Sequence, residues 1–153
     1  MRAGHEPGTG GPATDVPGTR WPTIRSIDEI LRAARRRLCR LGPAGAYAAM
    51  GAGAVLVDIR PQEVRAAQGR VPDAVHVERN VLEWRFDPSS PARLRGIASY
   101  DTHLIIMCVE GYASSLAASS LQDLGLARAT DLDGGFLAWV RAGLPVLAGE
   151  QTG

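Results

Sequence analysis

From residue 23 onward the apolar positions follow two patterns, one of helical period and one of short continuous runs. Ile27, Ile30, Leu31, Ala34, Leu38 and Leu41 recur at helical spacing, and the stripe predicts an amphipathic helix over 23–40. Ser26 and Glu29 frame its start as a capping box. The hydroxyl accepts from the third backbone N–H while the carboxylate reaches back. Pro43 to Met50 is alanine-rich, with proline in its first turn and Gly51 to stop it, and predicts a second helix. Ala54 to Ile59 is a β-branched apolar run of the kind expected of a parallel strand covered on both faces. Ala74–Val77 and Ala129–Leu132 predict short strands, and His103–Cys108 a fully apolar one. Leu116, Ala117, Ser120, Leu121 and Leu124 mark the inner face of a helix ended by Gly125. Phe136 to Ala142 reads as a last helix, stopped by Gly143 and Pro145. Strands alternating with helices predict an α/β domain with a mostly parallel sheet.

Composition narrows what such a domain does. The 153 residues, 45% hydrophobic and 22% charged, suffice for one domain with one core. Residues 1–22 read as a flexible Gly/Pro-rich tail and 148–153 as a C-terminal tail. All 17 basic residues are arginine, which excludes Schiff bases, the phosphate-binding lysine of a P-loop and lysine as a general base. The formal charge of +1 gives no reason to expect nucleic acid or an anionic membrane as partner. That total averages two unlike halves: eight arginines against four acids before Gly53, and nine against twelve after it. Arg32, Arg35, Arg36, Arg37 and Arg40 lie off the apolar stripe of the first helix. They are expected to be the solvated outer face of a helix packed on its own domain or on a partner, a possible dimer surface. The longest apolar stretch, Leu104 to Val109, is too short to span a bilayer, and the first twenty residues lack the apolar run of a signal peptide. Two cysteines, Cys39 and Cys108, are too few for a disulfide scaffold, so the expected location is the cytoplasm.

One of those cysteines stands where parallel sheets bind ligands, at the carboxyl end of a strand. Residues His103 to Met107 deliver Cys108; Val109, Glu110, Gly111, Tyr112 and Ala113 follow, and Ser114 and Ser115 open a helix. A short loop running into a helix N-terminus turns several N–H groups toward one point, which stabilises a thiolate there and favours it as nucleophile. Gly111 supplies backbone freedom, and the Ser114 and Ser115 hydroxyls are candidate extra donors or caps. A cysteine at a buried strand end is, on spacing alone, more often plain packing, because a free thiol behaves as a small hydrophobe.

Four blocks in order resemble the rhodanese-like domain family. Asp58-Ile59-Arg60 and Gly69-Arg70-Val71-Pro72-Asp73-Ala74-Val75-His76-Val77 are similar to its first signatures. Cys108 to Ser114 is similar to its cysteine loop, and Gly134-Gly135-Phe136-Leu137-Ala138-Trp139 through Gly143-Leu144-Pro145-Val146 to its closing signature. The likeness covers about 41–147; the tail and the arginine-rich helix lie outside it. It implies an α/β domain with a central, mostly parallel five-stranded sheet flanked by helices on both faces. It further implies a sulfurtransferase without metal or organic cofactor. Cys108 would carry sulfane sulfur as a persulfide, taken from thiosulfate or another persulfide. The acceptor would be a thiol, cyanide or a protein. The amides of Val109, Glu110, Gly111, Tyr112, Ala113 and Ser114 would stabilise the persulfide anion.

Cysteine-dependent phosphatases share the fold, but need one more loop residue and an arginine six positions after the cysteine. That position is Ser114, and no arginine occurs from Gly96 to Ala127, so a phosphatase is disfavoured. Glu110 in the loop repels an anionic donor; Arg60, Arg79 and Arg85 are the candidates to offset it. Persulfide transfer between thiols therefore fits better than thiosulfate–cyanide turnover, and a non-catalytic binding or sensor module is the alternative. Asp58 reads as the acceptor fixing the following turn, with Arg60 as companion, or else as a polar hook behind the loop. His76 and His103 show no ligand spacing, so no metal site is expected. Cys39 reads as an inert packed thiol, or as a resolving thiol for Cys108. Trp84 and Trp139 read as core or rim packing, Trp139 fastening the last helix to the sheet, and Asn80–Arg85 as a helical turn near the site mouth.

Overall fold

The structure, a computed structural model, describes residues 23–149, so the expected 1–22 tail and residues 150–153 lie outside the described residues. Its helices are α1 (Ile27–Arg36), α2 (Pro43–Gly51), α3 (Gln62–Gln68), α4 (Leu82–Phe86), α5 (Ala113–Asp123) and α6 (Gly135–Arg141). The strands are β1 (Val55–Asp58), β2 (Val75–His76), β3 (Leu104–Met107) and β4 (Thr130–Asp131), and a 3-10 turn, Arg79–Val81, leads into α4. The sheet is parallel throughout in the order β2-β1-β3-β4, with Val57 opposite Val75, Leu56 opposite Ile105 and Ile106 opposite Asp131. Successive strand residues point to opposite faces. Val57, Leu104 and Ile106 therefore pack with Leu82, Phe86, Ala117 and Leu121 of α4 and α5. Leu56, Ile105 and Met107 pack with Ala46, Phe136 and Trp139 of α2 and α6. Both faces are covered, as the continuous apolar runs require.

Three expectations need correction. Among the described residues the sheet has four strands where five were expected. At the β4 edge the chain pairs only through Leu41, whose N–H donates to the Asp131 carbonyl (3.1 Å) and whose carbonyl accepts from the Asp133 N–H (2.8 Å). Gly42 and Pro43 then turn it straight into α2, and proline has no N–H with which to extend a ladder. The first helix also stops short of its stripe. It keeps the expected capping box, but Arg37 and Leu38 donate to carbonyls three residues back, and the chain straightens toward the Leu41 bridge. Finally, its arginines are not all a solvated outer face. Leu31 and Ala34 bury against the domain, α1 packs on α5, and Arg35, Arg37 and Arg40 reach across. Arg37 bonds Ser119 (2.8 Å) and Asp123 (2.6 Å). Ile27 and Ile30 of the stripe stay exposed.

Candidate active site

Every residue of β3 is buried, and it delivers Cys108 at its carboxyl end with 8% of the residue exposed. The sulfur accepts two backbone bonds, from the Gly111 N–H (3.2 Å) and the Ser114 N–H (3.4 Å). Gly111 takes φ 88°, and a Cβ there would stand 2.8 Å from the Gly134 nitrogen, so the loop closes only around glycine. The Gly134-Gly135 pair explains its own place in the closing signature. Gly135 lies so close that a Cβ would meet the Cys108 and Val109 carbonyl oxygens at 2.6 Å. That approach lets Phe136 donate its N–H to the Cys108 carbonyl (2.8 Å) and Leu137 to that of Val109 (3.1 Å). Helix α6 thereby pins the start of the loop from below.

Behind the loop lies a group the sequence did not reveal. Asp131, fully buried on β4, accepts from the Ser114 hydroxyl (2.8 Å) and the Ser115 hydroxyl (2.7 Å). Those hydroxyls neither cap α5 nor face the sulfur, contrary to expectation. The Arg40 Nε donates to the same carboxylate (2.9 Å), and its terminal nitrogen donates to the Gly111 carbonyl (3.0 Å). Arg35 donates to that carbonyl as well (2.9 Å) and to the Ser115 hydroxyl (3.1 Å). Burial opposes the Arg40 charge, but the hydrogen bond and charge of Asp131, with the charges of Asp133 and Cys108, outweigh it and push the guanidinium's pKa up. Asp131 shows in the sequence only as one acid in a short strand.

In front of Cys108 opens a cavity of about 400 Å³, walled by Ile59, Pro61, Val109, Tyr112 and Ala113 with Arg60, Arg79 and Glu110. Glu110, Tyr112 and Ala113 are exposed, and Arg35 lies over the Tyr112 ring at 5.5 Å. The arginines are spoken for. Arg60, wholly buried, makes a two-pronged contact with Asp58 (3.0 and 2.8 Å), bonds Gly69 and Gln68, and stacks on Phe136 at 3.8 Å. The Arg60 N–H also donates to Asp58 (3.0 Å), as does Arg65 (3.0 Å), so Asp58 fixes the turn after β1. Arg79 pairs with Glu83, and Arg85 bonds the Ala92 carbonyl away from the cavity. A larger recess of about 630 Å³, lined by Tyr47, Met50, Val71 and Trp139, contains no cysteine.

Cys39 is exposed, so it is not a packed thiol. It shares a small recess with His103, which precedes β3, whereas Cys108 follows β3. Five steps of about 3.3 Å put His103 and Cys108, on either side of β3, roughly 16 Å apart, so Cys39 on the His103 side is not placed to resolve Cys108 within one chain. His76 donates to the Arg60 carbonyl (2.8 Å), and among the described residues no cluster of three or more His, Cys, Asp or Glu could hold a metal. Trp139 is buried and donates to the Pro145 carbonyl (2.9 Å), whereas Trp84 is exposed on α4. No helix among the described residues is long and apolar enough to cross a membrane.

A parallel α/β sheet that presents one cysteine at the carboxyl end of a strand, with two backbone amides on its sulfur and a cavity in front of it, defines a cysteine-centred site. The chain belongs to the rhodanese-like domain family, whose model matches residues 43–142. It is 37% identical over 97 residues to a sulfurtransferase of Allochromatium vinosum, a match covering 63% of this chain and 80% of that one. It is 35% identical over 100 residues to the thiosulfate sulfurtransferase GlpE of Stutzerimonas stutzeri, covering 65% and 83%. A solved structure from Rhodopseudomonas palustris, described as of unknown function and a possible tyrosine phosphatase, is 34% identical with a TM-score of 0.74. It covers 85% of this chain and all of that one.

Proposed function

We propose that the protein is a sulfurtransferase that carries sulfane sulfur as a persulfide on Cys108. The observation that supports this most is the seat of the sulfur. Sγ accepts from Gly111 and Ser114 at the back of the cavity, in a loop whose Val109, Glu110, Tyr112 and Ala113 N–H groups have no acceptor among the described residues. The names of the relatives from Allochromatium vinosum and Stutzerimonas stutzeri point the same way. In the first half-reaction the Cys108 thiolate attacks the outer sulfur of the donor. A Cys108–S bond forms, the donor's S–S bond breaks, and its electron pair leaves with the thiolate or sulfite. In the second, an acceptor thiolate attacks the outer sulfur and Cys108 departs as thiolate. Transfer from an organic persulfide suits this cavity better than transfer from thiosulfate. Arg60 is consumed by Asp58, Arg79 is paired with Glu83, and Glu110 adds negative charge to the wall.

Phosphatase chemistry is the second reading, raised by the name of the Rhodopseudomonas palustris structure. Here the loop holds no guanidinium: position 114 is serine, and Arg35 and Arg40 hold the Gly111 carbonyl from behind. Intact-mass analysis after incubation with thiosulfate or a low-molecular-weight persulfide separates the readings. Wild type should gain one sulfur, more completely from the persulfide, and Cys108→Ala none. If no donor loads the wild type while an aryl phosphate is hydrolysed, the phosphatase reading takes its place. If neither happens, the domain is a binding module.

A further inference from the structure

The arginine-rich segment lies outside the matched residues 43–142, yet two of its side chains end on the cysteine loop. Both guanidiniums converge on one atom, the Gly111 carbonyl oxygen, at 2.9 Å from Arg35 and 3.0 Å from Arg40. In a planar trans peptide the C=O and the following N–H point in opposite directions. Holding this carbonyl outward therefore turns the Tyr112 N–H inward. The backbone around it agrees: Gly111 is left-handed (φ 88°) and Tyr112 right-handed (φ −96°, ψ −64°). That alternation folds successive N–H groups into one concavity. The first of the series, Gly111 N–H, already donates to Sγ. The Tyr112 N–H has no acceptor among the described residues, so it is available to a second sulfur.

We propose that Arg35 and Arg40 are positioning residues of the sulfur-carrying loop. By holding the Gly111 carbonyl from α1 and the segment after it, they aim the Tyr112 amide at the outer sulfur of the Cys108 persulfide. The arginine-rich segment is then a working part of the site. The role assigned to the outer sulfur rests on the sulfurtransferase reading; the aiming of the amide does not. The charges facing the loop are Arg35 and Arg40 behind it, Asp131 beneath, Glu110 within, and the Arg60–Asp58 and Arg79–Glu83 pairs across the cavity. Of these, Arg35 and Arg40 reach the Gly111 carbonyl.

The test uses the full chain carrying Cys39→Ser, so that Cys108 is the sole thiol. Alkylation by iodoacetamide at fixed pH reads the unloaded thiol, and the amide spectrum reads Gly111 and Tyr112 before and after sulfur loading. In the parent, loading should move the Tyr112 amide downfield. Arg35→Ala/Arg40→Ala should lose that shift and alkylate about tenfold more slowly, the scale of one charge-assisted hydrogen bond. Arg35→Lys, which still offers a charged donor, should recover most of the rate that Arg35→Ala loses. Unchanged β3 amides certify the fold; if the double variant does not fold, Arg35→Ala decides alone, since it leaves Arg40 on Asp131. A folded variant with parent-like alkylation and Tyr112 shift overturns the proposal. If the parent takes up no sulfur from any donor, the sulfurtransferase reading falls, and the alkylation series still decides the positioning role.

Discussion

Replacing Arg60 by methionine decides whether that residue serves the fold or the substrate. Its side chain is wholly buried and spends Nε and a terminal nitrogen on Asp58, with further bonds to Gly69 and Gln68. The change leaves the Asp58 carboxylate buried, with only Arg65 and one backbone N–H in contact, and removes the guanidinium from the Phe136 face. Breaking a buried ion pair by deleting one partner costs about 3–5 kcal/mol. Arg65 stays at 3.0 Å and offsets part of this, which places Arg60→Met near the lower end, at about 3 kcal/mol. For a domain of this size that lowers Tm by about 10 °C. Asp58→Asn, which leaves the guanidinium buried with a neutral partner, should cost at least as much. The double variant should cost less than the sum, because neither charge is then stranded.

Urea and thermal unfolding followed by circular dichroism give the stabilities; Cys108 alkylation well below Tm reports the site. The expected outcome is a large loss of stability with little change in alkylation, and loading from thiosulfate and from an organic persulfide reduced alike. Arg60→Met that unfolds like the wild type yet loses thiosulfate loading selectively would refute the argument, for Arg60 would then be an anion contact.

Other consequences follow from the same contacts. Gly135→Ala places a methyl at 2.6 Å from the Cys108 and Val109 carbonyl oxygens and asks alanine for φ 63°, so it should displace α6 from the loop. A stability loss of about 2 kcal/mol or more and at least tenfold slower alkylation are expected, and wild-type values for both would contradict the packing. Burial, and then the Arg128 charge, lower the pKa of His103 from 6.5, so the folded protein binds this proton less readily than the unfolded chain. This contribution to stability is complete above about pH 6.5 and is lost as pH falls below it toward the lowered value. Urea midpoints at pH 7.5 and 5.5 should thus fall less for His103→Gln than for wild type. Cys39, exposed and in a recess with His103 at the end of β3 away from Cys108, should label in the native protein and form no Cys39–Cys108 disulfide under mild oxidation. An intramolecular disulfide detected by peptide mapping would disprove that placement.

The readable parts of this chain are those where burial leaves a pattern. The runs at Ala54–Ile59 and His103–Cys108 announce β1 and β3 because both faces of the sheet are covered. By contrast α3, Gln-Glu-Val-Arg-Ala-Ala-Gln, buries no residue and so shows no stripe; it is held by its position after Pro61 and by Arg65 reaching Asp58. The stripe of α1 overshoots because Leu41 is apolar for a different reason: beside β4 it packs against the Ala46, Leu132 and Phe136 cluster, on the other side of the sheet from α5. Cys108 and its loop are legible since the chemistry is local, seven consecutive residues from strand end to helix start. The network behind the loop is not, because Arg35, Arg40, Ser114, Ser115 and Asp131 are brought together only by the packing of α1 on α5 and of α5 on β4.

Ser114 shows what the tertiary packing adds to a motif. Read along the chain, it is the position at which a phosphate cradle would need arginine. In the fold its N–H donates to the Cys108 sulfur while its side chain, with no exposed surface, turns the other way to donate to Asp131. The side-chain direction at this position therefore runs away from the cavity, toward a carboxylate already held by Ser115 and Arg40. An arginine placed there would meet Asp131 first and would have to leave a filled space to reach the cavity. The two positive side chains that bond the loop, Arg35 and Arg40, come from α1 and the segment after it and hold its outward carbonyl. The positive charge near Cys108 is thus arranged to orient amides around a sulfur, and the guanidinium fork that grips phosphoryl oxygens is missing from the loop both in sequence and in the direction its side chains take.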